Sequence, residues 1–154
     1  MTGPAERLAA LGLTLPPVAA PVAAYVPAVR TGTFVYTSGQ LPTVDGKLPA
    51  VGKVGGAVSA ADAAGMARTC ALNALAAAAS AAGGLEAIRR IVKVTGFVAS
   101  APGFSGQPQV INGASEFLIE VFGEDGKHAR SAIGVAELPL NAPVEVEMIV
   151  EVRD

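Results

Sequence analysis

Alternating and helically spaced apolar residues divide the chain into short blocks separated by Gly- and Pro-rich stretches. AYVPAV (24–29) and TFVYTS (33–38) are β-rich runs separated by Arg30, Thr31 and Gly32, which predicts an antiparallel hairpin with glycine at the turn. From Gln40 to Val58, Pro42, Gly46, Pro49, Gly52, Gly55 and Gly56 interrupt any period. Ser59 and Asp62 then fit a capping box for a helix over about 60–82, with Met66, Cys70, Leu72 and Leu75 set among alanines and Gly83-Gly84 as its stop. IRRIVKVTGFVAS (88–100) reads as a strand and PGFSGQPQ (102–109) as a loop. Val110, Ala114, Phe117, Leu118 and Val121 recur at helical spacing over 110–122. After the turn GEDGK, ARSAIGVAEL (129–138) and VEVEMIVEV (144–152) are strands joined through Pro139 to Pro143. The last strand sets Val144, Val146, Met148 and Val150 on one face and Glu145, Glu147 and Glu151 on the other.

The order is ββαβαββ, an α+β fold with a mixed sheet and two helices. Ahead of it, residues 4–12 suit a short helix ended by Gly12, and PPVAAP (16–21) enforces an extended approach. Residues 1–23 are therefore read as an N-terminal extension and 24–154 as a single domain. Two helices cover one face of such a sheet, so the other face is expected to meet a further copy of the chain.

Composition sharpens this picture. At 154 residues the chain suits one domain without cross-links. Half of it is hydrophobic, yet only 5% is aromatic and Trp is absent, so the core must be built from closely packed Ala, Val, Leu and Ile. A net charge of −2 with scattered Lys and Arg lacks the basic excess that phosphate backbones require, which speaks against nucleic acid as a partner. A single Cys70 and a single His128 supply neither a disulfide nor a zinc ligand set, and a reducing compartment follows. The start MTGPAERLAALGLTLPP lacks a basic, continuously apolar secretory signal, and the small-residue run at 71–82 is shorter than the roughly 20 apolar residues of a bilayer span. A cytoplasmic location with no membrane partner is expected.

Three motifs carry a resemblance: YTSGQLP (36–42), the second helix with Asn112, and above all ARSAIGVAELP (129–139) followed by VEVE (144–147). Together with the order of elements they resemble the Rid (reactive intermediate deaminase, or YjgF) family over about residues 25–152. That family is similar in fold to chorismate mutase and assembles as trimers. The resemblance implies that Arg130 pairs with the carboxylate of an imino or enamino acid. It implies that Glu145 positions or activates the hydrolytic water, helped by backbone groups near Gly39 and Ala132. Tyr25, Ser38 and Asn112 match pocket-lining positions, the Tyr being similar to one contributed across the subunit interface. Ala132 stands where many deaminase members carry Cys, and the loops at 43–58 and 101–109 are longer than in compact members.

These residue types suit the chemistry. A planar guanidinium holds a carboxylate by two parallel hydrogen bonds and so fixes the adjacent C=N carbon. Water attack then needs an acceptor for one proton and a donor to the departing ammonia, and one half-buried Glu can serve both steps. No metal or organic cofactor is needed. An antiparallel pairing of the last two strands would set Glu145 beside Arg130. Blander readings stand beside these: Glu147 and Glu151 share the face of Glu145, Ser38-Gly39 is an ordinary strand end, Asn112 bonds local backbone, Cys70 fills core, and His128 lies in an exposed turn. Three activities fit: hydrolytic deamination of 2-imino or 2-enamino acids, non-catalytic binding of a small carboxylate, and endoribonuclease action, which the acidic charge disfavours.

Overall fold

The computed structural model describes residues 2–21 and 23–154. In chain order its elements are α1 (Pro4–Ala10), β1 (Ala28–Thr31), β2 (Phe34–Thr37), α2 (Ala60–Ala82), β3 (Ile88–Ala99), α3 (Gln107–Phe122), β4 (Ala129–Val135) and β5 (Val144–Val152). The alternation of β5 reappears as burial, with Val144, Val146, Met148, Val150 and Val152 buried and the residues between them half-exposed. Helix α2 matches the run expected for it. The Ser59 hydroxyl accepts from the Asp62 N–H at 3.1 Å, and Gly83 closes the helix at φ 96°.

The sheet order is β1-β2-β5-β3-β4, antiparallel throughout except for the parallel β3–β4 pair. The hairpin of β1 and β2 is shifted from the expected runs: Arg30 and Thr31 belong to β1, and Tyr25 lies outside it in a bend. Pro27 accounts for the shift, because it has no N–H to give a ladder; its carbonyl takes the Ser38 N–H at 2.8 Å instead. The second expectation corrected is the pairing of β4 with β5. β3 lies between them, pairing Glu145 with Phe97 on one side and Ala132 with Gly96 on the other. The connection from Val135 to Val144, kinked by left-handed Leu140 and Asn141, carries the chain past the end of β3 rather than turning as a hairpin.

Helices α2 and α3 cover one face of the sheet, and small residues set their spacing. A Cβ on Gly113 would strike the Ala64 carbonyl of α2, and one on Gly96 of β3 would strike Ile111 of α3. A two-point ion pair, Arg68 to Glu120 with both contacts at 3.2 Å, also links the helices, and its guanidinium lies 5.0 Å from the Phe117 ring. Gly113→Ala is expected to destabilise the protein. Helix propensity favours Ala by about 1 kcal/mol, but a backbone carbonyl cannot swing aside and overpacking costs about 1–3 kcal/mol. Urea unfolding checks this, and an unchanged midpoint would mean that the helices separate freely.

Helix α1 lies against α3, with Leu8 buried in the same core and the Ala5 N–H donating to Glu86 at 3.0 Å. Among the described residues no helix is long and apolar enough to cross a membrane. The second sheet face carries exposed Val29, Phe34, Tyr36 and Ile133, interleaved with Glu145, Glu147, Ile149 and Glu151.

Candidate functional site

The register divides the implied site residues between two sheet faces. Along β4, Arg130, Ala132 and Gly134 align with Val94, Gly96 and Val98, so they point to the helix side. Arg130 is half-buried at this edge and reaches α3. Its Nη1 donates to Asn112 Oδ1 at 2.8 Å and to Ser115 Oγ at 3.2 Å, and its Nη2 donates to the Pro108 carbonyl at 3.4 Å. Asn112 and Ser115 are three residues apart, hence neighbours on one face of α3. These bonds use three of the five guanidinium hydrogens, leaving enough for a two-point contact with a planar anion.

Glu145 belongs to the opposite face, with β3 between it and β4. Two strand spacings of about 4.8 Å separate the lines of Glu145 and Arg130, and the sheet itself stands between the side chains. Within one chain they do not meet. The half-buried Glu145 carboxyl lies directly on Gly39, where a Cβ would collide with Oε1. Burial, and next the charge of Glu147, raise its pKa above the ordinary carboxylate value. Gly39 is thus needed for space, and its neighbour Gln40 is tied to Val146 by backbone bonds of 2.8 and 3.1 Å. Ser38 donates to the Val26 carbonyl at 2.6 Å and so braces the segment that bears the exposed Tyr25.

Arg130 and Asn112 therefore come together, as do Glu145 and Gly39, while Ala132 lies two residues beyond Arg130 on its own strand. Two side chains beside Arg130 were not anticipated. Ser115 was not singled out, although it and Asn112 are the polar breaks on the β4 side of an apolar helix. His128 is not the exposed turn residue its neighbours suggest. It is half-buried, with Nε2 2.9 Å from Ser115 Oγ and Nδ1 2.6 Å from the Gly126 carbonyl. Burial lowers its pKa, and the Arg130 charge adds to this against the raising effect of the hydrogen bond it donates to the Gly126 carbonyl. The two long loops also touch each other. Val54 joins the end of β3 through Ala99 and Ala101, and Phe104 packs on Gly55. Among the described residues no cluster of three or more His, Cys, Asp or Glu is placed to hold a metal ion.

Residues 5–152 match the family described as "YjgF/chorismate mutase-like, putative endoribonuclease". The chain is 42% identical to Protein TCP17 of Trypanosoma cruzi, covering 97% of this chain and 94% of that one. Among solved structures it is similar to Atu1372 of Agrobacterium tumefaciens, a protein of unknown function, at 48% identity and a TM-score of 0.90, with 97% and 92% covered. E. coli TdcF, solved with bound serine, is more distant at 27% identity and a TM-score of 0.66, with 89% and 94% covered.

Proposed function

The chain belongs to the YjgF/chorismate mutase-like family, and on that premise we propose that it is a hydrolytic deaminase converting 2-imino or 2-enamino acids to 2-keto acids and ammonia. The observation that carries this reading is a half-buried guanidinium steadied by α3 with hydrogen-bond donors still available. A 2-imino acid would place its carboxylate on that fork, which holds the C=N carbon at a fixed distance. Water adds to the carbon of the protonated imine and yields a proton to Glu145, giving the neutral carbinolamine. The protonated carboxyl returns that proton to nitrogen, and as ammonia leaves, the hydroxyl proton passes to the regenerated carboxylate, leaving the keto acid. The raised pKa of Glu145 suits a group that must both accept and donate. In support, the relative TdcF was solved with serine, an amino acid whose carboxylate matches the proposed anchor.

Because Arg130 and Glu145 of one chain lie on opposite sheet faces, the reading requires a further copy of the chain, and we take the assembly to be the homotrimer that the family resemblance implies. The β4 edge of one subunit would meet the Glu145 face of the next, and the apolar residues on that face would be covered by the same contact. Ala132 would line the cleft beside Arg130, with Gly39, Ser38 and Tyr25 coming from the Glu145 side. Light scattering at micromolar concentration is expected to give about three times the 15.3 kDa chain mass, and a monomer mass would defeat the shared site. The activity is tested by supplying imines freshly generated from an amino acid and measuring ammonia and keto acid. Pyruvate binding without accelerated ammonia release would leave a carboxylate-binding module instead.

A further inference from the structure

We propose that His128 is a positioning residue for Arg130, acting through Ser115 to fix which edge of the guanidinium is offered to a carboxylate; this deepens the deaminase reading and rests on it. The hydrogen bonds form a directed chain. The Gly126 carbonyl can only accept, so His128 Nδ1 carries the hydrogen of their 2.6 Å contact. In the neutral ring Nε2 is then a bare acceptor, and the Ser115 hydroxyl donates to it at 2.9 Å. With its hydrogen committed, Ser115 Oγ turns its lone pairs to Arg130 Nη1, which it accepts at 3.2 Å. Asn112 Oδ1 accepts from the same Nη1 at 2.8 Å, so both Nη1 hydrogens are engaged on the helix side. Pro108 takes one from Nη2. Nε–H and one Nη2 hydrogen remain, and with Pro108 taking the Nη2 hydrogen that faces Nη1 these two form a parallel fork.

Without His128 the Ser115 hydroxyl is free to turn back to its own helix, as serines inside helices do, and its hold on Nη1 loosens. Burial first, and the Arg130 charge with it, lower the imidazole pKa against the raising hydrogen bond to the Gly126 carbonyl, which favours the neutral form this chain of bonds requires.

Calorimetric titration with pyruvate, on the full chain in its native assembly, tests the relay. Ser115→Ala and His128→Ala are each expected to weaken binding about three- to tenfold, the effect of one neutral hydrogen bond, and the double variant no more than either alone. His128→Gln, whose amide oxygen can still accept from Ser115, should recover part of the loss. Long-range proton–nitrogen NMR should find His128 with its hydrogen on Nδ1. A purely structural role would lower the unfolding midpoint without this saturation and rescue. If Arg130→Ala weakens pyruvate binding while both single variants match wild type, or if their losses add, the relay is overturned alone. If Arg130→Ala itself binds pyruvate normally, the carboxylate anchor of the deaminase reading falls, and the relay's purpose with it.

Discussion

Glu145→Gln is expected to bind pyruvate as wild type does and to hydrolyse imines about 10²–10⁴-fold more slowly, the usual loss on removing a general base. The amide keeps the shape that sits on Gly39 but cannot take a proton from water. Catalysis should also carry an acid limb. Burial and the neighbouring Glu147 charge raise the Glu145 pKa, and only the carboxylate form is a base. The rate must therefore fall as pH drops through a value above the ordinary Glu pKa of about 4.3. Glu147→Gln should leave the rate near neutral pH almost intact and move this limb to lower pH, since removing a like charge makes Glu145 easier to ionise. Steady-state rates followed from the ordinary carboxylate range up past neutrality separate the two variants. Equal rates in both would return water activation to backbone groups.

The elements that could be read in advance are those whose signal is local. Strand β5 writes its two faces as strict alternation, and α2 is bounded by a capping serine and a left-handed glycine, so both match to the residue. Strand neighbours are another matter, because pairing depends on where the whole chain returns. Nothing in residues 136–143 states that they pass β3, and Pro139 and Pro143 exclude a tight hairpin without naming the alternative. The parallel partnership of β3 and β4 follows from the α3 crossover, a connection of the length parallel strands need.

The site shows the same division. Arg130 and Asn112 come together because α3 packs beside β4. Gly39 lies against the Glu145 carboxyl, on the face opposite Arg130. His128 was misread because its sequence neighbours form a turn, whereas its ring is decided by Ser115, thirteen positions away on α3. Side-chain environment is set by what packs from elsewhere, and a polar residue beside a turn carries no mark of it.

Arg130→Ala is expected to weaken pyruvate binding at least tenfold and to abolish measurable imine hydrolysis. A hydrogen bond to a charged group contributes about 1.5–3 kcal/mol, and each 1.4 kcal/mol is one decade of affinity. A two-point pairing at a half-buried edge should exceed the lower figure. Arg130→Lys distinguishes charge from shape. An ammonium keeps the charge but cannot hold Asn112, Ser115 and the Pro108 carbonyl while offering a fork to a carboxylate. It should therefore recover little binding and less hydrolysis, because a carboxylate held at one point leaves the C=N carbon free to swing away from water. The unfolding midpoint should move little, since Arg130 and its partners lie at an edge strand within reach of solvent. Lys restoring full hydrolysis would show that the site needs only a positive charge, and the two-point geometry argued for this edge would be wrong.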